Sequence, residues 1–154
     1  MTIFIGDGGH AAVCREVAKA YGMSGGYFVA VGDNASRKKE VEALGDVLFA
    51  SFVHPHAYVS RTAIIGEGAI IMPGVVVQAR AVVGKHCILN SGCTLDHDSI
   101  LEDFVHLAPG SHLCGNVHVG EGSLVGVGVG IEPGVVIPAW HIVKRSEYTT
   151  CPMR

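Results

Sequence analysis

The sequence predicts a parallel β-helix, a solenoid in which very short strands stack into a narrow triangular prism. Three observations support this prediction. An aliphatic residue recurs at every sixth position from Val53 to Val143 without a break. The position four residues further on is small, as at Ala57, Cys93 and Ser99. Glycine is abundant, with 21 residues, and aromatic residues make up only 6% of the chain, which suits many tight turns around a narrow interior.

Each group of six residues supplies one short strand and one turn, so three groups complete a coil of 18 residues. The aliphatic and the small position both face the interior. A period of this length predicts about five coils. We therefore assign residues 52–145 to the solenoid and residues 146–154 to a polar C-terminal tail. Trp140, near the end of the repeat, is expected to cover the open end of the prism.

Residues 1–51 are predicted to form a small α/β unit. The predicted elements are strands at 3–5 and 28–31, a helix from 11 to 21 that Gly22 ends, a second helix at 35–44, and a candidate third strand at 47–49. A unit of about 50 residues is close to the lower limit for an independent core. We therefore expect it to pack against the solenoid.

A glycine-rich segment, Gly6-Asp7-Gly8-Gly9-His10, joins the first strand to the first helix. A strand, a glycine turn and a helix can direct backbone N–H groups at a phosphate. The motif is shorter than the full dinucleotide fingerprint, so a simple tight turn explains it equally well. Both interpretations remain open on the local sequence.

Composition excludes several classes of function. The net charge of −3 and the absence of a basic block argue against nucleic acid as a partner. No apolar run approaches the ~20 residues of a membrane-spanning helix. The first residues lack the basic segment of a signal peptide, and the five cysteines form no C-x-x-C pair. We expect a cytoplasmic protein with reduced cysteines, among which Cys87 and Cys93 are buried.

The segment Asp96-His97-Asp98 carries chemistry that the repeat does not require. A spacing of 18 residues places His97 between Ala79 and Gly115, and Asp98 between Arg80 and Asn116. An imidazole beside a carboxylate is suited to act as a general base near pH 7. The backbone N–H of Gly115, unshielded by a side chain, is a candidate donor to an oxyanion. The alternative is that His97 is only a polar turn residue.

Other sequence features favour different chemistry only weakly. The histidines at 106, 112 and 118 lie six residues apart, so they fall on different faces of the prism and cannot converge within one chain. A metal hydratase of the γ-carbonic-anhydrase type would need two histidines five residues apart, and no pair has that spacing. Cys114 lacks neighbours that would activate it as a nucleophile. We therefore expect no metal cofactor.

Several motifs together resemble the bacterial sugar O-/N-acyltransferases of the sialic acid O-acetyltransferase and UDP-4-amino-sugar N-acetyltransferase family. The resemblance rests on Gly6-x-Gly8-Gly9-His10, Val31-Gly32-Asp33-Asn34 with Arg37-Lys38-Lys39, Val53-His54-Pro55, Ile88-Leu89-Asn90 through Asp96-His97-Asp98, Asp103-Phe104-Val105-His106, and Cys114-Gly115-Asn116-Val117. It implies a left-handed β-helix preceded by a truncated Rossmann-like unit. It also implies a homotrimer with active sites between subunits.

The resemblance implies transfer of an acetyl group from acetyl-CoA to an amino or hydroxyl group of a nucleotide-linked sugar. The implied catalytic residues are His97 as base, Asp98 as its partner, Gly115 as oxyanion donor, and His106 from a neighbouring subunit. The implied coenzyme contacts are Asn90, Gly115, Asn116, Gly126 and Val127. The implied nucleotide contacts are Gly8, Gly9, His10, Asn34 and Arg37. The alternative is a non-catalytic scaffold or a degenerate member of the family.

Overall fold

A computed structural model describes residues 2–21 and 25–144. Its N-terminal unit contains β1 (Ile3–Ile5), α1 (Gly9–Tyr21), β2 (Tyr27–Val29) and α2 (Asn34–Leu44). β1 and β2 pair in parallel as a two-stranded sheet. The candidate third strand is reduced to a single bridge between Tyr27 and Phe49. Gly22, the predicted end of the first helix, and the predicted tail at 146–154 lie outside the described residues.

Local chemistry explains how these elements begin and end. Gly6 has φ +116°, and an added Cβ would lie 2.7 Å from the carbonyl oxygen of Ala30, so only glycine lets β1 end this close to β2. The Asp33 carboxylate accepts a hydrogen bond of 2.8 Å from the Ser36 N–H and caps α2. Hydrogen bonding from the Ser36 side chain, and then from its backbone N–H, holds the pKa of Asp33 below its ordinary value.

The rest of the described chain is the predicted solenoid, with three parallel sheets of six, five and five strands. The first face comprises β3 (Phe52–Val53), β6 (Ile70–Ile71), β9 (Ile88–Leu89), β12 (His106–Leu107), β15 (Leu124–Val125) and β18 (Ile142–Val143). The second face comprises β4 (Tyr58–Val59), β7 (Val76–Val77), β10 (Thr94–Leu95), β13 (His112–Leu113) and β16 (Gly130–Ile131). The third face comprises β5 (Ile64–Ile65), β8 (Val82–Val83), β11 (Ile100–Leu101), β14 (His118–Val119) and β17 (Val136–Ile137).

Turns of four residues form the three edges of the prism. We call the edge between the first and second faces corner 1, the edge between the second and third faces corner 2, and the edge between the third and first faces corner 3. Strands pair with the strand one coil away, so Leu95 aligns with Leu113 and Leu101 with Val119. The β-helix of about five coils that the period predicts is confirmed, and so is the left-handed β-helix that the family resemblance implies.

The interior follows the predicted pattern of one large and one small residue per group of six. Leu89, Leu95 and Leu107 are fully buried, as are the small residues Cys87 and Cys93. The two cysteines are free thiols, as expected. Buried serines satisfy their hydroxyl groups with backbone partners, and within the described residues no buried side-chain nitrogen or oxygen lacks a hydrogen bond.

The first coil departs from this pattern because it is the end of the stack: β3 pairs only with β6 among the described strands. Val53, predicted to face the interior, is 42% exposed, whereas its neighbour Phe52 is buried. Phe52, Ile70 and Ile88 point outward from the first face, and the N-terminal unit covers them to form one continuous core with Phe28. The expectation that the small unit leans on the solenoid is therefore confirmed.

The third face exposes apolar side chains within the described part of the chain. Ile64, Ile100 and Val136 are 63%, 41% and 67% exposed along it. His118 interrupts this apolar strip and contacts Glu102 at 2.8 Å. The described residues contain no helix that is long and apolar enough to cross a membrane.

Candidate active site

The best-defined cluster of polar side chains lies in corner 2 and is centred on His97. His97 Nδ1 lies 2.8 Å from Asp98 Oδ2, and the His97 N–H donates to Asp96 Oδ1 at 2.7 Å. Arg80, one coil earlier, bonds the same Asp98 carboxylate through Nε and Nη2 at 2.6 and 2.7 Å. These bonds from Arg80 and then from His97 hold the pKa of Asp98 well below its ordinary value.

The ionised carboxylate determines the tautomer of His97. A carboxylate only accepts hydrogen bonds, so Nδ1 must carry the proton and Nε2 keeps its lone pair. The side chain of His97 is half exposed, so Nε2 is accessible to a reactant. This is the arrangement of an oriented general base.

Gly115 lies directly against the imidazole, as the 18-residue spacing predicts. A Cβ added to Gly115 would lie 2.6 Å from His97 Cε1 and 2.7 Å from His97 Nε2. The neighbouring Asn116 N–H donates to the His97 carbonyl at 3.0 Å, which fixes the two coils relative to each other. Only glycine therefore allows the ring to occupy this position.

The backbone of corner 2 explains the precise stacking of its side chains. Arg80, Asp98 and Asn116 all adopt φ near +59°, a left-handed conformation that side chains other than glycine, asparagine and aspartate rarely accept. They occupy the same turn position in three successive coils. His86, Phe104 and Trp140 adopt the same conformation at the equivalent position of corner 3, so the repeat itself imposes it.

Cys114 lies in the same corner but is not activated. Partial burial, followed by the carboxylates of Glu132 and Asp96, raises the pKa of its exposed thiol. A nucleophilic cysteine needs nearby positive charge that lowers its pKa. The surroundings of Cys114 therefore do not favour a covalent intermediate on its thiol.

His106 occupies a different part of the chain, on the outer surface of the first face. Burial, and to a smaller extent the charge of Arg37, lowers its pKa to about 4. Its Nε2 lies 3.3 Å from Asn90 Nδ2. His106 is therefore neutral near pH 7 and can orient a ligand through hydrogen bonds, but it is not charged.

Two cavities meet at Gly32, which lines both. The first, of about 220 Å³, lies between the N-terminus of α2 and the first face. It is lined by Gly32, Asp33, Asn34, Ala35, His106, Gly122, Leu124, Trp140 and Ile142. The second, of about 360 Å³, lies at the N-terminus of α1. It is lined by Gly6, Asp7, Gly8, Gly9, His10, Ala30, Val31 and Gly32.

Gly8, Gly9 and His10 thus lie together in a concave site, as the glycine-rich motif suggests. Added Cβ atoms at Gly8 and Gly9 would meet nothing within 4 Å, so their backbones are open to a ligand. His10 is partly buried, and its pKa is lowered by burial and by the charge of Arg37. Asp7 also lines this cavity, and its carboxylate can accept hydrogen bonds from the hydroxyl groups of a ligand.

Arg37 and Asn34 have a different environment from the one expected of ligand contacts. Arg37 is fully buried, and all five of its N–H donors are used. It bonds the carbonyls of His86, Val31, Gly32 and Phe104, and the side chain of Asn34. The expectation that Arg37 contacts a nucleotide directly is therefore wrong for this conformation, because none of its N–H donors remains free. Arg37 instead joins α2 to the solenoid.

Asn34 takes part in the same junction while lining the first cavity. Its Nδ2 donates to the carbonyls of Gly122 and Ser123, at 2.9 and 3.2 Å. Its side-chain oxygen accepts from Arg37 at 2.8 Å. Because both ends of the side-chain amide are engaged, the remaining surface that Asn34 offers a ligand is small.

The residues expected to contact the coenzyme are divided between two edges. Gly115 and Asn116 lie in corner 2 beside His97, whereas Asn90, Gly126 and Val127 lie in corner 1. Val127 is 69% exposed, and Asn90 links corner 1 to His106. Within one chain the structure thus brings together two groups, one around His97 and one around His106, and does not bring these groups to each other.

Trp140 is a cavity residue that the sequence interpretation placed elsewhere. It does not cover the end of the prism but lies in corner 3, where its ring packs on Gly122 and on the Lys38 ammonium group, 5.5 Å from the ring centroid. Its φ of +59° is rare for a bulky residue. The 18-residue spacing from Gly122 is the signal that predicts this stacking.

Comparison with known proteins identifies the group to which this architecture belongs. The family described as bacterial transferase hexapeptide (six repeats) matches residues 62–97. The acetyltransferase domain of PglB from Neisseria gonorrhoeae is 32% identical, with a TM-score of 0.85 over 92% of this chain and 86% of that chain. PerB from Caulobacter crescentus, solved with CoA and GDP-perosamine, is 33% identical, with a TM-score of 0.88 over 92% of this chain and 84% of that chain.

The chain belongs to the hexapeptide-repeat sugar acetyltransferases. This membership confirms the family that the motifs resemble. The PglB domain has also been solved with acetyl coenzyme A, in a structure that is 33% identical with a TM-score of 0.84 and coverage of 92% and 86% of the two chains. The comparison with curated proteins gives no match.

Proposed function

We propose that this protein transfers the acetyl group of acetyl-CoA to an amino group of a nucleotide-linked sugar. The observation that carries the proposal is the hydrogen bond of 2.8 Å between His97 and Asp98, which leaves Nε2 of His97 unprotonated and accessible. The solved relatives support it, since one was crystallised with acetyl coenzyme A and another with CoA and GDP-perosamine.

The geometry of corner 2 supplies each part of a direct transfer. The acceptor nitrogen attacks the thioester carbonyl, and His97 Nε2 takes the proton that nitrogen loses as the C–N bond forms. Asp98 stabilises the resulting imidazolium. The N–H of Gly115, for which no acceptor is present among the described residues, stabilises the tetrahedral oxyanion. The C–S bond then breaks, and the proton leaves with the CoA thiolate.

The two joined cavities provide a site for the acceptor. The backbone of Gly8 and Gly9 at the N-terminus of α1 faces the diphosphate, and His10 lies beside it. The sugar occupies the cavity between α2 and the first face, where neutral His106 contacts it. Trp140 supplies an aromatic wall for the sugar ring. In this arrangement residues 1–51 hold the nucleotide side, and residues 52–145 carry the transfer.

A homotrimer completes this site. Its third faces pack around the symmetry axis, because they expose Ile64, Ile100 and Val136. Corner 2 borders one side of the third face, and corner 3 with the first face borders the other side. In a closed ring, corner 2 of each subunit, which carries His97, therefore faces the first face of its neighbour, which carries His106. The two groups that one chain keeps apart then meet.

The same ring places the coenzyme contacts on two subunits. Gly115 and Asn116 of one chain face Asn90, Gly126 and Val127 of its neighbour across a groove. The thioester lies at the His97 end of that groove. We assign the reaction to the cytoplasm, where free acetyl-CoA and nucleotide sugars are accessible.

An acetyl-transfer assay tests this function. Purified protein is incubated with acetyl-CoA and each of a panel of UDP- and GDP-linked 4-amino sugars, and thiol release and acetylated product are measured. We expect turnover with at least one amino sugar and none with its hydroxyl analogue. Acetyl-CoA should also raise the melting temperature. Failure of both turnover and thermal shift with every compound would contradict the proposal and favour a non-catalytic scaffold.

A further inference from the structure

Arg80 makes the only two-point contact between side chains in the described part of corner 2. Its Nε and Nη2 lie 2.6 and 2.7 Å from the two oxygens of Asp98, 18 residues later. Asp98 Oδ2 also lies 2.8 Å from His97 Nδ1. One carboxylate oxygen is therefore shared by the guanidinium and the imidazole. Both of these bonds from Arg80 go to Asp98, and neither involves Nε2 of His97.

An ordinary surface ion pair is the alternative explanation, and a second pair in the same protein provides the comparison. Lys85 and Glu67 are also 18 residues apart, on neighbouring coils of corner 3, with Nζ 2.7 Å from Oε1. That contact has one point, and no histidine shares it. Exposed pairs of this kind contribute little to stability. Arg80 differs because its planar fork fixes the orientation of a carboxylate that another residue uses.

The first consequence of this clamp is geometric. The backbone of Asp98 is held by its N–H bond to the Ala79 carbonyl at 3.1 Å, but a short side chain on an exposed turn can still rotate. Two parallel bonds from Arg80 remove that rotation. The free lone pair of Oδ2 then points at Nδ1, and the imidazole ring is held against Gly115.

The second consequence concerns charge around the imidazole. Two carboxylates bond His97: Asp98 contacts the imidazole, and Asp96 accepts from the backbone N–H. Negative charge favours the protonated imidazole, which cannot act as a base. The guanidinium of Arg80 is the cation bonded to this group. It offsets part of that negative charge, so its removal should favour the protonated imidazole.

We propose that Arg80 is a positioning residue that aligns Asp98 with His97 and limits protonation of the base. The inference rests on the proposed function, because it assumes that His97 removes the acceptor proton. Arg80 acts through Asp98 and does not touch the reacting atoms. Its effect must therefore be visible in the pH dependence of the reaction and not only in the amount of folded protein.

The test compares Arg80→Gln, Arg80→Lys and the matched control Lys85→Gln by pH profiles of kcat/KM. Loss of the guanidinium charge that is bonded to Asp98 at this solvated site should raise the pH at which activity falls on the acid side of the Arg80→Gln profile by roughly 0.5 to 1 pH unit. Its kcat at neutral pH falls about 3- to 30-fold, within the range for partial loss of orientation. The KM for acetyl-CoA stays near its original value.

The conservative variant separates charge from geometry. Arg80→Lys keeps the positive charge, so the acid side of its pH profile of kcat/KM should match that of the parent protein. Its kcat should recover only in part, because an ammonium group cannot form the planar fork. Lys85→Gln, which breaks an ion pair of equal spacing, leaves the profile unchanged. Melting temperatures of all three variants are measured to confirm that they fold.

Three outcomes would overturn the inference. The first is an unshifted acid limb in Arg80→Gln. The second is an equal shift in Lys85→Gln. The third is a higher KM for acetyl-CoA without a change in the pH profile, which would make Arg80 a coenzyme contact. His97→Ala is assayed alongside: if it is inactive while Arg80→Gln behaves normally, only the role of Arg80 fails, whereas an active His97→Ala refutes the proposed base itself.

Discussion

The substitution Gly115→Ala tests the position of His97 without removing any reacting group. A Cβ at Gly115 would lie 2.7 Å from Nε2 of His97, whereas ordinary contact begins at 3.4 Å. The backbone of Gly115 is not in the left-handed region, so alanine causes no strain there. The half-exposed imidazole must therefore retreat by about 0.7 Å. The bond to Asp98 would lengthen from 2.8 Å to about 3.5 Å, the limit of a useful hydrogen bond.

A displacement of this size lowers kcat by roughly 10- to 100-fold, which corresponds to about 1.4 to 2.7 kcal/mol in the barrier. The free energy of unfolding should change by no more than about 0.5 kcal/mol, because the ring moves into solvent. The assay is steady-state thiol release with saturating acetyl-CoA, together with urea unfolding.

Gly130→Ala is the matched control for this substitution. An added Cβ at Gly130 meets nothing within 4 Å, and its backbone is also outside the left-handed region. We expect normal kcat and stability from the control. Full activity of Gly115→Ala would refute the placement of His97, and an equal loss in both variants would point to a general effect on the solenoid.

Three further predictions address the thiol, the assembly and the pH dependence of stability. Cys114→Ser should retain turnover and give no acetylated enzyme by mass spectrometry, because its thiol has a raised pKa; loss of activity with a trapped thioester in the parent would contradict direct transfer. Ile100→Asp should convert the proposed trimer to monomers in light scattering and abolish activity, whereas Leu48→Asp, at an exposed apolar residue outside the third face, should do neither. Burial first lowers the pKa of both His86 and His106 to about 4. Between about pH 6.5 and pH 4 these histidines are protonated in the unfolded chain but not in the folded protein. The free energy of unfolding is therefore highest above about pH 6.5 and falls towards pH 4, by up to about 1.4 kcal/mol per pH unit for each histidine. His86→Asn, which tolerates the left-handed backbone at that position, should flatten this slope in urea unfolding series, and an unchanged slope would count against the assignment.

The period of six was sufficient to predict the interior of the solenoid. It set which residues point inward, as at Leu95 and Cys93, because every coil imposes the same geometry. It also predicted the stacking of His97 on Gly115 and of Asp98 on Arg80, because a spacing of 18 residues is one turn of the prism. A strict repeat makes long-range contacts calculable from sequence numbers alone.

The period could not predict what happens on the outer surface of the prism. Phe52 and Ile88 point outward, yet the N-terminal unit buries them, and no local pattern reveals which face the unit covers. The family resemblance implied that Arg37 contacts a nucleotide. The burial of Arg37 depends on how α2 packs against the solenoid. There its N–H groups donate to the carbonyl of Gly32, just before α2, and to the carbonyl of Phe104 in the solenoid.

The geometry of the proposed catalytic residues was therefore more predictable than that of the proposed acceptor cavity. His97, Asp98 and Gly115 all lie in the repeat. The cavity beside His106 depends on α2, on Trp140 in corner 3 and on the packing between them. The relation between subunits depends on a symmetry that one sequence does not specify.

The shared site between subunits is the central claim, and mixing two inactive variants tests it directly. His97→Ala and His106→Ala are each expected to be inactive alone. When the two chains are co-expressed and assemble at random, about a quarter of the interfaces pair an intact His97 with a neighbour's intact His106. We predict recovery of about a quarter of the normal kcat per site. Mixed trimers with no more activity than the separate variants would contradict a site formed between neighbouring chains.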